Sequence, residues 1–406
     1  MDKRKTNYKL YPSQSQSERL LESLRLHQQL YNAALQERID CYRKTGKSIS
    51  YNDQQASLTQ IRADHPEYKA IPVYITRMTL RRLDKAFKAF FERVKKGQAP
   101  GFPRFRSLSR FSSFEMCGGS GWAFIPEANG KHGRLSINGI GRIKARGKAR
   151  TLGKVKTSQV IHKHGQWFLS VTVECEPVRA CKGQKACGFD WGVEYLGTVT
   201  HENGEHYAIE NPRYYRDSKE SLLPMQQAVS RKKRGSNRWK RACKVLTQAR
   251  AKVARQRHHD HHQLSHDLAK EYTLFATEKL TIRNMTRTAK GTLDKPGKMV
   301  KQKSGLNREI LDTAPAKLLA MIHYKVEETG GEFVEIPTRK AKPSQRCPAC
   351  WEVVKKTLSE RTHQCDCGCT MPRDAASGLV AIKWALGLGG NSPNAGHSAK
   401  PLLSVA

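Results

Sequence analysis

Five cysteines, Cys347, Cys350, Cys365, Cys367 and Cys369, fall within 23 consecutive positions of a 406-residue chain. "CPAC" sets Cys347 and Cys350 at C-x-x-C spacing, and "CDCGC" supplies a second pair fifteen residues on. Four thiolates so spaced suit tetrahedral zinc, and four sulfurs leave no open coordination position, so the expected ion is structural. Cys365 and Cys367 are the preferred second pair, with Cys369 as the alternative ligand and His363 as a weaker one. Bond-breaking chemistry is expected of three acids. Asp190 in "GFDWG" sits between apolar neighbours in mid-strand, where Asp is disfavoured, and Gly192 lets the backbone turn closely around an ion. Glu278 in "FATEKL" sits near the end of a later strand, and Asp374 opens the last helix. A buried carboxylate needs an offsetting charge. Three from separate elements could hold two Mg2+ ions about 3.5–4 Å apart, one activating water and the other stabilising the leaving oxygen of a phosphodiester displacement. The plainer readings are an N-cap for Asp374 and a solvent-facing acid for Glu278.

The elements that must position these acids run in a recognisable order. Strands "CGFDWGVE", "YLGTVTH" and "EHYAIE" precede a helical stretch, strand "YTLFATEKL", helix "APAKLLAMIHYKVEETG", strand "GEFVEIP" and a closing helix, "DAASGLVAIKWALG". Three strands followed by alternating helix and strand is the order of an α/β sheet of RNase H-like topology. Upstream, strand "NYKLYP" leads into the amphipathic helix "SERLLESLRLHQQLYNAALQERIDCYRK". A further helix, "TRMTLRRLDKAFKAFFERVKK", is expected to stack Leu80, Leu83, Phe87, Phe90 and Phe91 on one side, leaving Arg77, Arg81, Arg82, Lys85 and Lys88 for phosphate or solvent. From "PGFPRFRS" the period shifts toward strands, with a turn at "EANGKHG" and a hairpin in "SQVIHKHGQWFLSVTVECE". No acid lies between Glu127 and Glu174, against ten Lys or Arg, which favours a barrel that grips nucleic acid. "PVRACKGQKA" reads as a linker and residues 389–406 as a disordered tail.

Charge sets the partner class. Lys+Arg number 73 against 36 Asp+Glu, a net +37 that repels itself unless a polyanion neutralises it. Residues 230–257 alone carry twelve Lys or Arg, with no acid from 221 to 259, which argues for phosphate contact by Arg231, Lys232, Lys233, Arg234, Arg238 and Lys240. Arg104 in "GFPRFRS" is a further candidate contact. His258, His261 and His262 in "HHDHH" are read as extending the basic surface rather than binding metal. No stretch approaches the ~18 apolar residues of a membrane span, and "MDKRKTNYKLYPS" lacks the apolar core of a signal peptide. No membrane partner is expected, and the expected location is a reducing cytoplasm, with the six remaining cysteines as ordinary thiols. The residues set no oligomeric state.

In order, "LYPSQSQ", "LYNAALQERIDCY", "GFPRFRS", "GFDWGVE", "SRKKRGSNRWKRACKVL", "FATEKL", "KPSQRCPAC" and "CDCGCTMPRDAA" resemble the TnpB proteins of insertion sequences, RNA-guided DNA endonucleases related to type V CRISPR effectors. The likeness covers nearly the whole chain. It implies an α+β multidomain protein: an RNase H-like (RuvC) α/β nuclease domain at 181–342 and 371–388 with a zinc-binding insert at 343–370, a helical recognition domain at 13–97, and a β-barrel wedge domain at 1–12 and 98–180. It further implies that Asp190, Glu278 and Asp374 form the magnesium-dependent catalytic centre, that the cysteine pairs hold zinc, and that the partners are a guide RNA and target double-stranded DNA. Tyr51 and Arg77 lie in stretches similar to those with which the family reads a short motif beside the target. Three positions depart from the family pattern. Pro372 stands where Asp-Arg-Asp usually begins, Ala376 where Asn is frequent, and Trp351 where Gly follows the second zinc cysteine. Rival readings are an RNA-guided repressor that binds without cutting, which Ala376 keeps open, and an RNase H-like transposase using the same carboxylates. A CRISPR-associated effector would share the chemistry.

Overall fold

Ser13 ends strand β1 (Asp2–Tyr11) and starts helix α1 (Gln14–Thr45). Its side chain accepts from the Gln16 backbone N–H while Gln16 Oε1 accepts from the Ser13 N–H, a reciprocal cap that satisfies donors the helix cannot. The computed structural model describes residues 2–117, 120–128, 131–149, 153–176, 185–292, 294–357 and 359–388. The expected linker at 177–184 and the expected tail at 389–406 lie outside the described residues. Two units are resolved, Met1–Pro177 and Val178–Ala406.

In the first unit, α1 buries Leu20, Leu24, Leu30 and Leu35, and is followed by α2 (Tyr51–Ala56) and α3 (Leu58–Asp64). Helix α4 (Val73–Lys95) buries Leu80, Leu83 and Phe87 as its period predicts. Phe91, expected on the same stripe, is instead 50% exposed in the last two turns of the helix, where its ring lies against those of Phe87 and Phe90. Arg82 is not free for phosphate either: both its terminal nitrogens donate to Ser113, at 2.7 Å each.

Six further strands follow: β2 (Ser113–Cys117), β3 (Trp122–Pro126), β4 (Lys131–Ile137), β5 (Gly141–Lys148), β6 (Lys154–Lys163) and β7 (Gln166–Cys175). With β1 they form one antiparallel sheet in the order β2-β6-β7-β1-β5-β4-β3. The expected barrel is therefore a curled half-barrel, because β2 and β3 end the sheet and do not pair with each other among the described residues. Strand alternation turns Leu135, Ile137, Ile143 and Ala145 into the core and leaves Arg134, Arg142, Lys144 and Arg146 exposed.

The second unit begins with β8 (Lys185–Trp191), β9 (Tyr195–His201) and β10 (His206–Glu210), then α5 (Tyr214–Asp217), α6 (Lys219–Ser230) and the long α7 (Asn237–Glu271). Strand β11 (Tyr272–Glu278) follows, then α8 (Ile282–Met285), α9 (Val300–Thr313), α10 (Pro315–Glu328) and β12 (Glu332–Ile336). Helix α11 (Thr338–Ala341), the hairpin β13 (Thr362–Gln364) and β14 (Thr370–Pro372), and α12 (Arg373–Ala385) complete it. The five-stranded sheet runs β10-β9-β8-β11-β12, its first three strands antiparallel and β8, β11 and β12 parallel. Along the chain these strands and helices follow the succession read from the sequence, and the sheet they form is mixed. Among the described residues no helix is long and apolar enough to cross a membrane.

Candidate active site and cysteine cluster

Asp190 and Glu278 stand at the ends of two neighbouring parallel strands. The register pairs Phe189 with Thr277, so the two acids come one residue later on adjacent strands. Asp190 is thus next to last in β8 rather than in mid-strand. Gly192, expected to wrap an ion, serves the turn into β9 instead: a Cβ there would lie 2.9 Å from the Tyr195 carbonyl oxygen. Asp374 is the second residue of α12, whose N-cap is Pro372, so the carboxylate is not used as a cap. Arg373 Nε lies 3.6 Å from Asp374 Oδ1.

The three acids sense one another. Burial holds the Asp190 carboxyl well above its usual range, and the charges of Glu278 and then Asp374 push the same way; a hydrogen bond with Ser377 and the charge of Arg373 oppose them. Burial likewise raises Glu278, against a second hydrogen bond with Ser377. An all-oxygen donor set of crowded, partly buried carboxylates suits a hard divalent cation, which would offset the charge that burial penalises. Their oxygens do not all come within 4.8 Å of one another, as the cysteine sulfurs do.

Sequence reasoning missed Ser377, and it missed the glycines that bring α12 down on the sheet. A Cβ on Gly188 would lie 1.9 Å from the Gly378 carbonyl oxygen, and one on Gly378 would lie 2.6 Å from Thr200 Oγ1. The readable signal was the run of small residues after Asp374, "AASG", opposite a glycine two positions before Asp190.

The cysteines form the other constellation. Cys347, Cys350, Cys365 and Cys367 place their sulfurs within 4.8 Å of one another, with Cys347–Cys367 at 3.6 Å and Cys350–Cys365 at 3.4 Å. The set is consistent with zinc, and it is the preferred pairing. Cys369 belongs to a second, overlapping group with Cys347 and His363. Burial pushes the Cys347 thiol up, but the backbone amides of Cys350 and Ala349, with His363 and Cys367, bring it down to about 5, whereas the Cys350 and Cys365 thiols beside it are raised. The knuckle is fastened to α12: Lys383 Nζ donates to the Pro348 carbonyl at 2.7 Å, and the Trp351 and Trp384 rings stack at 6.4 Å. Trp351, standing where the family has glycine, has φ +70, a left-handed conformation that a tryptophan adopts only under strain.

The expected nucleic-acid contacts are dispersed. Arg231, Lys233, Arg234, Arg238 and Lys240 are exposed at the α6–α7 corner, and Lys232 Nζ donates to the Ala228 carbonyl. Arg104 is exposed. Tyr51 opens α2 and packs half-buried against the core, while the Arg77 guanidinium lies 5.3 Å over the Tyr74 ring. Of the three histidines only His261 departs from the expected basic surface: it is buried and, through burial and the neighbouring Arg257, is held neutral with a pKa of about 4, while the exposed His258 stacks on the half-buried His262.

Three family models match successive stretches: the helix-turn-helix domain of the IS605 OrfB proteins over residues 1–47, the IS605 OrfB family described as "Probable transposase" over 169–289, and the Cas12f1-like TNB domain over 316–379. These matches bear out the resemblance to the TnpB (IS605 OrfB) family. The helix-turn-helix match covers one strand and one 32-residue helix. A relative from Escherichia coli (strain K12), "Putative RNA-guided DNA endonuclease InsQ", is 26% identical over 342 residues, 83% of this chain and 80% of its own length. A "Putative RNA-guided DNA endonuclease" from Streptomyces pristinaespiralis is 28% identical over 391 residues, 93% of this chain and 89% of its own. Among solved structures, the Cas12f1 chain of a complex with sgRNA and target DNA shares the fold with a TM-score of 0.59 at 14% identity, covering 91% of this chain and 82% of that one. The cysteine cluster falls largely in the TNB stretch and the acids in the OrfB and TNB stretches.

Proposed function

We propose that this protein is an RNA-guided DNA endonuclease that hydrolyses phosphodiester bonds at Asp190, Glu278 and Asp374 in a RuvC-like, RNase H-type sheet. One observation carries the reading: three acids come from three separate elements to the ends of β8 and β11, where burial raises both Asp190 and Glu278 and the charges of Glu278 and Asp374 raise Asp190 further. A fold that crowds acids so is costly unless they serve a cation. Two magnesium ions held there would supply Lewis acidity to the phosphodiester and to the attacking water. The chain's own part is orientation. Strands β8 and β11 fix two carboxylates side by side, and the knuckle, clamped to α12 through Lys383 and Trp384, sets the helix that carries Asp374. The names of two relatives that span most of this chain support guidance by RNA, and the +37 charge supports a polyanionic partner. Tyr51 and Arg77 are proposed to contact the duplex beside the target, and Arg104 and the α6–α7 cations to contact nucleic-acid backbone.

The protein should be purified with its bound RNA, the RNA sequenced, and matching plasmids tested for Mg2+-dependent cleavage. Asp190→Ala is expected to abolish cutting while sparing guided DNA binding; a variant that still cuts removes Asp190 from the mechanism. Guided binding by the wild type without any nicked product would identify a repressor, the reading that Ala376 in place of Asn keeps open.

A further inference from the structure

The face of β8 and β11 that looks at α12 is defined by contacts independent of the acids. A side chain on Gly188 would run into the Gly378 backbone, so Gly188 points at α12. Strand residues two apart share a face, and Asp190 therefore points at the same helix, one step nearer its N-terminus. Ala276 packs with Ala381 and Trp384 of α12, so Glu278, two residues on, faces it as well. The helix answers with Asp374 and, three residues later on the same side, Ser377. Ser377 is 2% exposed. Ala375, Ala376 and Gly378 have no polar side chain, and after Ser377 the next polar side chain of α12 is Lys383, turned to Pro348. The Ser377 hydroxyl therefore faces the Asp190 and Glu278 carboxyl groups, and it acts on both against the effect of burial.

We propose that Ser377 is a positioning residue of this site, its hydroxyl holding the Asp190 and Glu278 carboxylates in the orientation that receives a divalent cation. The inference rests on the endonuclease reading above and adds a residue to it. A hydroxyl has one proton and two lone pairs. It can donate to one carboxylate and stand within reach of the other, so it ties the pair together before a cation arrives. An alanine at 377 would leave both carboxylates buried without that partner, free to turn apart under their own repulsion. Groups that orient metal-binding side chains typically change metal affinity by about 10- to 100-fold when removed.

The test compares the RNA-bound wild type with Ser377→Ala, Ser377→Thr and Ser377→Cys. Mn2+ affinity is read by electron paramagnetic resonance, and the Mg2+ dependence of cleavage is read separately from its rate at saturating Mg2+. Ser377→Ala is expected to weaken Mn2+ binding about 10-fold or more and to raise the half-saturating Mg2+ by a similar factor, with melting temperature and zinc content unchanged. Ser377→Thr, which keeps the hydroxyl, should restore the affinity. Ser377→Cys, of similar volume but a weak donor, should behave as the alanine variant does, and this keeps the test decisive should the threonine methyl crowd the helix contact. Wild-type Mn2+ affinity and Mg2+ dependence in Ser377→Ala would overturn the role while leaving the nuclease intact. A wild type that binds no Mn2+ overturns both, whereas affinity lost in Ser377→Ala supports the role even in a protein that does not cut.

Discussion

His27 shows how much one residue can hide. In "LRLHQQLY" it reads as a polar residue of an amphipathic helix, yet it is fully buried, its Nδ1 2.7 Å from Thr79 Oγ1 and its ring stacked on Phe114 at 5.0 Å. Burial, helped by the charge of Arg82, lowers its pKa to about 3. The folded state therefore binds this proton less readily than the unfolded chain, whose histidine titrates near ~6.5. Stability from this group is full above that value and drains away as pH falls toward 3. Between pH 7 and pH 5 the loss amounts to about 2 kcal/mol in the linkage relation. Urea melts at the two values should show it, and His27→Gln, though less stable at pH 7, should lose less between them; equal losses would remove His27 as the cause. Asp190 stood out in the sequence because a charge inside an apolar strand breaks a local rule, whereas Glu278 near a strand end and Asp374 at a helix start are ordinary placements that only the order of the elements linked to it. His27 and Ser377 break no such rule. Their partners lie 52 residues away for the Thr79 contact and on other elements for the carboxylates, so only folding reveals them.

Among the elements, helix α12 depends most on fit. Its approach to the sheet is backbone against backbone, and at Gly188 a methyl group would stand 1.9 Å from a carbonyl oxygen that cannot swing aside. Gly188→Ala must lift or slide the helix, at a cost of about 1–3 kcal/mol or more, and the helix carries Asp374. The expected result is a lower melting temperature together with a loss of cleavage far larger than any loss of guided DNA binding. A variant that melts lower yet cuts at the wild-type rate would show that the close approach serves stability alone. Element order in the second unit was legible: β9 occupies Tyr195–His201, the stretch read as a strand, and β11 begins at the expected Tyr272. Apolar runs and alternation encode that much. Closure of the first sheet was not legible, because whether β2 meets β3 depends on pairings between distant strands that alternation does not encode. Phe91 was misread for a related reason: helical period marks a stripe but not where the core beneath it ends.

At the scale of the molecule, the net charge of +37 becomes a particular surface. The outward face of the half-barrel sets Lys9 opposite Arg146, Arg134 opposite Lys144, and Lys131 opposite Lys148. Like charges directly opposite across a sheet destabilise it. Beside them the half-exposed Tyr11 ring lies 5.2 Å from Lys9 Nζ and 5.1 Å from the Arg146 guanidinium. A face selected for stability alone would alternate sign, so this ladder is expected to serve phosphate. Replacing Arg134, Lys144 and Arg146 together with Gln then has two effects of opposite sign. The RNA-free protein should melt higher at low salt, because the repelling pairs are gone. Affinity for the bound RNA should fall, and the slope of log affinity on log salt should become shallower by about 2, since each lost phosphate contact removes ~0.7–0.9. Filter binding between 50 and 200 mM salt, on the scale at which such contacts change affinity strongly, reads the second effect and thermal melts the first. Higher stability with an unchanged salt slope would mean that the ladder meets only solvent, and that the polyanion binds through other cations, such as those of the α6–α7 corner.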